Sequence, residues 1–187
     1  EYEIYTRYSY SSNEKQGLSN PVVGRTIEDK NGNLWIGTEG GGLNYFNRRT
    51  REFKWYRPQE GRNSISHNNV KALYYDADKE IIWIGTHLGG LNRLDIRSGH
   101  FTHYRMEDNN RQTLPSDIVR DIIPYKDLLI VATQNGVCLF DPDSGKCRQL
   151  FKDSKEGKSI KMVADILLDS EGTLWIAATG EGVFNYR

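Results

Sequence analysis

WIGTEGGGL at residues 35–43, WIGTHLGGL at 83–91, LIVATQNGV at 129–137 and WIAATGEGV at 175–183 align without gaps, and their repetition decides the fold. Counted from Trp35 to Trp83, Leu129 and Trp175, the intervals are 48, 46 and 46 residues. A fixed period in the forties marks a chain built from copies of one supersecondary unit. In this alignment Leu129 takes the tryptophan position of the third unit, and Ala132 and Ala178 take the threonine position of units three and four.

Working outward, each copy is preceded by a segment rich in β-branched and aromatic residues: VGRTIED (23–29), VKALYYD (70–76), VRDIIPY (119–125) and MVADILLD (162–169). Such composition predicts strands. Turns such as DKNGN (29–33) and DSEGT (169–173) join these segments to the cores. Asn and Gly tolerate the positive φ of a hairpin turn, so the two strands are antiparallel neighbours. A third strand follows each core at 43–46, 91–94, 137–140 and 183–186, and a fourth follows in three units at 52–56, 100–104 and 146–151. Four strands per unit at this period predict the blades of an all-β propeller with antiparallel sheets. Leu34, Trp35 and Ile36 are apolar in succession, which suits a sheet packed on both faces. A solenoid with one helix per repeat requires a 3.6-residue apolar period, and none is found.

The predicted layout is a last strand of a preceding blade in 1–16 (YEIYTRY, 2–8), three blades at 17–63, 64–112 and 113–157, and the first three strands of a blade at 158–187. The two ends together make up one blade. Two closures are compatible with this: a segment of a larger, seven-bladed ring, or a closed four-bladed ring. The chain opens at Glu1 without a leader and reads as an excised or processed piece.

Bulk composition narrows the function. The 25 acidic and 25 basic side chains cancel, so no field of one sign calls for nucleic acid or an anionic membrane. The longest purely apolar runs, such as 128–132, fall far short of the roughly 20 residues a spanning helix needs. Cys138 and Cys147 flank the predicted turn at 141–145; either a disulfide or two buried thiols fits, and Cys147 stands where sister units have Phe53 and Phe101.

The stretches NGNLWIGTEGGGLNYFN and IIWIGTHLGGLNRLD carry a polar turn, Trp-Ile-Gly-Thr, a variable pair, Gly-Gly-Leu and then Asn. This pattern resembles the two-component regulator propeller repeat. The resemblance implies a periplasmic sensor region of a hybrid regulator of Bacteroides type, coupled to a histidine kinase elsewhere in the parent chain. It also implies an oligosaccharide as ligand and an extracytoplasmic location. Expected partners are that ligand, the rest of the sensor chain and a second copy, without nucleic acid or direct membrane insertion.

Trp35, Trp83 and Trp175 recur at one position and so fill the wedge between sheets, while Gly41-Gly42 and Gly89-Gly90 supply positive φ and close packing. Ligand contacts are expected where loops converge at one end of the channel. Candidates between strands two and three are Glu39, His87, Leu88, Gln134, Asn135, Thr179 and Glu181. Candidates between blades are Arg62, His67, Arg111 and Asp117. On the innermost strand Arg25, Lys71, Arg120, Asp121 and Asp165 place charge in the channel, where it must pair or stay hydrated; Arg120 with Asp165 is one predicted pair. An alternative is that these residues merely line a wet channel.

No catalytic constellation emerges. His67, His87, His100 and His103 lack metal-ligand spacing, and no nucleophile elbow or phosphate loop occurs. Asp29, Asp76 and Asp169 recur at one turn position, which points to a hairpin cap. The expectation is a non-catalytic module without cofactor or metal. A structural or dimerising propeller segment, and a polysaccharide lyase or hydrolase, are the alternatives.

Overall fold

The computed structural model describes residues 5–151 and 160–187. Among them, four antiparallel sheets follow one another along the chain. The first holds β1 (Val23–Glu28), β2 (Leu34–Thr38), β3 (Leu43–Asn47) and β4 (Glu52–Tyr56). The second holds β5 (Val70–Asp76), β6 (Ile81–Thr86), β7 (Leu91–Asp95) and β8 (His100–Tyr104). The third holds β9 (Val119–Tyr125), β10 (Leu128–Thr133), β11 (Gly136–Phe140) and β12 (Cys147–Gln149). The fourth holds β13 (Val163–Leu168), β14 (Leu174–Ala178) and β15 (Gly182–Tyr186). Each sheet is a simple meander, and these are the predicted propeller blades. Strand β12 is shorter than the predicted 146–151, and 152–157 of that unit lie outside the described residues.

The hairpins between first and second strands are built by local capping. The Asp29 carboxylate accepts from the N–H groups of Asn31 (2.9 Å) and Asn33 (3.0 Å) and from the Trp35 indole (3.1 Å). Asp169 repeats this with Glu171 (2.9 Å), Thr173 (2.8 Å) and the Trp175 indole (2.8 Å). Asp76 caps a differently built turn, accepting from Lys79 N–H at 3.1 Å. The cap reading of these aspartates holds.

Successive blades stack through their faces, with β1 packed on β5, β5 on β9 and β9 on β13. Alternate residues of a second strand point to opposite neighbours, which is why the strand is apolar throughout. Trp35 and Leu43 pack with Ile65, Val70 and Phe101 of the second blade. Trp83 and Leu91 pack with Leu114, Val119 and Phe140 of the third. Gly37 is required by this closeness: a Cβ there would lie 2.7 Å from Val70 Cγ1.

The structure corrects the alignment of the third unit by one residue. Leu129 pairs with Phe140 as Leu34 pairs with Phe46, and Ile130 pairs with Leu139 as Trp35 pairs with Tyr45. Ile130 therefore holds the tryptophan position, and Thr133 holds the threonine position. The Thr133 hydroxyl donates to the Gly136 carbonyl (2.8 Å) as Thr38 does to Gly42 (2.8 Å). The turn between β10 and β11 is one residue shorter, and an ungapped comparison carried that deletion into the strand.

Two expectations at the ends change as well. The predicted strand at 2–8 begins outside the described residues, and its described part, 5–8, is not strand. Tyr8 nonetheless lies 4.7 Å, ring to ring, from Phe46, as Tyr104 lies 4.8 Å from Phe140; Tyr8 thus packs on the first blade as the fourth strand of a preceding blade would. Trp175, unlike Trp35 (2% exposed) and Trp83 (1%), is 38% exposed. The tryptophan side of each sheet faces the following blade, and among the described residues nothing covers that side of the fourth. Among the described residues no packing comparable to that of neighbouring inner strands joins β13 to β1, so the described blades form an open arc and not a closed four-bladed ring.

Candidate functional site

Every innermost strand opens with the same irregularity. Register shifts between Val23 and Thr26 in β1, Val70 and Ala72 in β5, Val119 and Asp121 in β9, and Val163 and Asp165 in β13. A bulge bends the strand and re-aims the side chains around it. Measured from each valine, Lys71 and Arg120 hold the first position, whereas Arg25, Asp121 and Asp165 hold the second.

The second-position charges meet in the channel. The Arg25 guanidinium lies 3.4 Å from Asp121 Oδ1 and 3.5 Å from Asp165 Oδ1, bridging the first blade to the third and fourth. Asp121 is buried and accepts the Ile122 N–H at 2.9 Å. Burial, reinforced by a hydrogen bond with Asp165, pushes its carboxyl above the ordinary range, and Arg25 opposes the shift. The expected Arg120–Asp165 pair is absent; Asp165 pairs with Arg25 instead, because the bulge sets Arg120 one position away from the register of the two aspartates.

At the first position, Lys71 binds Glu39 of the preceding blade. That contact holds the Glu39 carboxyl below its usual range. Glu39 belongs to a set of loop residues tied down in one way. The backbone N–H groups of Glu39, His87, Gln134 and Thr179 donate to the carbonyls of Val22, Asn69, Ile118 and Met162 (3.0, 2.9, 2.9 and 3.0 Å). Each carbonyl lies just before the innermost strand of the same blade, so the four loops are drawn to one end of the channel. Cross-blade bonds stitch this end: Gly40 and Gly42 N–H donate to the Asn68 carbonyl, and Gly90 N–H donates to that of Asp117.

Between the first and third blades lies a histidine pair. The His67 and His87 rings are 6.4 Å apart. His67 Nδ1 accepts the Asn69 N–H (3.1 Å), and burial, with His87 and Arg105 nearby, lowers its basicity. Asn69 Oδ1 and His87 Nδ1 are buried polar atoms without a protein partner. Beside them Leu88 projects into solvent, 55% exposed, at φ 73°. The equivalent Gly40 and Gly180 adopt φ 100° and 81°. Leucine is a costly occupant of the left-handed region, and such outliers concentrate at functional surfaces.

A cavity of about 530 Å³ lies along the third blade, lined by Arg111, Asn135, Glu107, Asn109, Asn110 and Lys161 among others. Arg111 and Asn135 are thereby brought together. Glu181 is exposed on the turn of the fourth blade, apart from them. Arg62 is tied to Gln59 (3.4 Å), and its neighbour Asn63 bonds the Gly99 carbonyl (2.9 Å) and the Phe101 N–H (2.7 Å) at the start of β8; this places Arg62 at the outer edge rather than the channel mouth. Asp117 anchors the mouth, accepting from Met106 N–H (2.7 Å) and pairing with Arg105 (3.3 Å).

One pair of residues escaped the sequence reading. Asn44 and Asn92 are fully buried. Asn44 Oδ1 accepts the Ser19 N–H (2.8 Å) and its amide donates to Ser19 Oγ (2.6 Å); Asn92 does the same with Ser66 (2.8 and 2.8 Å). The signal was the repeated Asn after Gly-Gly-Leu, taken with Leu18-Ser19 and Ile65-Ser66.

Sequential meanders, three of four strands and one of three among the described residues, stacked face to face along their inner strands, define this molecule as an arc of a β-propeller. The SMP-30/Gluconolactonase/LRE-like region matches residues 71–185, and the two component regulator propeller matches residues 17–40. The chain belongs to the former family, whose match spans more than half of it, and it carries the repeat of the two component regulator propeller. No curated protein matches it. Among solved structures it is similar to the extracellular domain assigned to the hybrid two component system BT3049 of B. thetaiotaomicron, with 27% identity and a TM-score of 0.82 over 96% of this chain and 25% of that one. It is also similar to the extracellular domain of BT4673 from the same organism, with 25% identity and a TM-score of 0.73 over 96% of this chain and 25% of that one. The chain therefore spans about a quarter of the length of the structures it matches. Among the described residues no helix is long and apolar enough to cross a membrane.

Proposed function

We propose that the chain is a propeller segment of the periplasmic sensor region of a hybrid two-component regulator, and that its channel mouth contacts an oligosaccharide. The observation that carries this reading is the similarity over 96% of the chain, at 27% identity, to an extracellular domain assigned to such a system. Its support at the site is the convergence of Glu39, Lys71, His67, His87 and Leu88, with Arg111 and Asn135 lining a cavity along the third blade. Hydrogen-bonding groups beside an exposed aliphatic side chain match the alternation of hydroxyls and C–H faces on a sugar. Catalysis is not part of the reading. The channel carboxylates Asp121 and Asp165 are engaged by Arg25 and accordingly maintain packing.

Isothermal calorimetry against hexasaccharides of a neutral glucan, a mannan and a polyuronate tests the proposal. Saturable heat with one of them, reduced tenfold or more by Glu39→Ala combined with His87→Ala, is expected; silence across all three defeats ligand contact by this segment. A new reducing end or unsaturated product on incubation would establish the enzymatic alternative. The second reading, a segment that spaces or dimerises the receptor, draws on the uncovered face of the fourth blade, where Leu167, Trp175 and Val183 are exposed.

A further inference from the structure

The third blade departs from its sisters at two coupled positions. By register, Cys138 stands where Asn44 and Asn92 stand, opposite the central second-strand residue. Cys147, opposite Phe140, stands where Phe53 and Phe101 stand. In the first two blades the buried asparagine binds the N–H of Ser19 or Ser66. The third blade has Pro115 at that place, four residues before the opening valine of the innermost strand, and proline has no N–H to be bound. The asparagine lock is thus dispensable in this blade, and a sulfur takes its place beside a second sulfur.

The two sulfurs lie 3.1 Å apart. Both cysteines are buried in the layer formed with Trp83, Leu91 and Phe140. They sit on adjacent antiparallel strands, diagonal to each other on one face, and bracket the turn capped by Asp141. A disulfide needs the sulfurs at about 2.05 Å, about 1 Å closer than they stand.

We infer that Cys138 and Cys147 are a disulfide-forming pair, which ties the short outer strand β12 to β11 in place of the asparagine lock and phenylalanine packing of the other blades. The two thiols lose two protons and two electrons to form the S–S bond. A small-molecule or protein disulfide accepts the electrons and is reduced to two thiols. Burial holds the Cys138 thiol well above its usual range, so exchange takes place while β12 is unzipped, and the closed bond is then shielded. Nothing in this inference depends on the sensor reading.

The chain is refolded in reduced and oxidised glutathione, denatured, and alkylated with iodoacetamide. The expected product carries no alkyl group, is lighter by two hydrogens, and yields a peptide pair joined through Cys138 and Cys147. Dithiothreitol then raises the unfolding constant by on the order of fifty- to a hundredfold, the value for a loop of this length. Two alkylated cysteines, glutathione adducts or a disulfide-linked dimer would each overturn the inference. Cys147→Phe, which restores the residue of the sister blades, must show one alkylated thiol and no response of stability to dithiothreitol. A response equal to that of the parent chain would also overturn it.

Discussion

Trp35 and Trp175 occupy the same repeated position and make the same indole bond, to Asp29 and Asp169, at 3.1 and 2.8 Å. They differ in cover: Trp35 is 2% exposed beneath the second blade, and Trp175 is 38% exposed. Trp35→Ala and Trp175→Ala therefore isolate what an adjacent blade contributes. A tryptophan buries about 250 Å², worth about 6 kcal/mol at about 25 cal/mol/Å²; this is an upper bound, since the denatured chain already hides part of that area. Exposure removes about a third of the gain at Trp175, about 2 kcal/mol. Trp35→Ala also leaves a void enclosed by Tyr45 and Tyr56, which lie 4.7 and 5.6 Å from the indole, whereas solvent enters at 175. Tryptophan truncations in cores cost about 3–5 kcal/mol, so Trp35→Ala is expected in that range and Trp175→Ala at about 1–3 kcal/mol. The indole bonds cancel in the comparison. Urea titration followed by far-ultraviolet circular dichroism and by the fluorescence of the remaining indoles measures both. Equal losses would refute the reasoning, because burial between blades would then not be what holds Trp35.

Three further outcomes follow. Leu88→Gly relieves a left-handed leucine at φ 73° and is expected to raise stability by about 0.5–1 kcal/mol, net of the glycine's added entropy in the unfolded chain; a lower melting temperature would contradict this. Asp121→Asn removes a carboxyl whose folded-state pKa is raised by burial and by Asp165. The native state holds that proton more tightly than the unfolded chain, so the wild type loses stability as pH rises from about 3.9 through the folded value. The variant should therefore be more stable at neutral pH, with the difference vanishing near pH 4, and a variant less stable at pH 7 in chemical denaturation would show Arg25 attraction to dominate. Asn92→Ala removes the buried amide that binds the half-buried Ser66 and should cost about 1–3 kcal/mol, measured by urea midpoint; a loss under 1 kcal/mol would deny the lock.

Repetition made the blades legible. Trp35, Trp83, the paired glycines and the capping aspartates Asp29 and Asp169 keep one residue type in one role, so chemistry and position coincide. Register was less legible, because the third unit loses one turn residue and an apolar strand gives no sign of a one-residue slip; the cross-strand pairing of Leu129 and Ile130 and the Thr133 hydroxyl bond locate it. The channel charges were found, but their pairing was not. Bulges place Arg25, rather than Arg120, against Asp121 and Asp165, and a bulge has no compositional mark in these strands. Exposure of Trp175 depends on what lies beside the fourth sheet, which a repeated motif cannot convey. At the candidate site the loop residues Glu39, His67 and His87 lie near the inner-strand Lys71, while Arg62 is drawn off by Asn63 and its bonds at the start of β8.

Hydroxyl-radical footprinting of the dilute protein, with modification of each indole resolved by peptide mass spectrometry, tests most directly that blades stack face to face in an open arc. Trp175 should be modified readily while Trp35 and Trp83 are protected until the chain unfolds. Modification of Trp35 at the rate of Trp175, or protection of all three, would contradict the stacking.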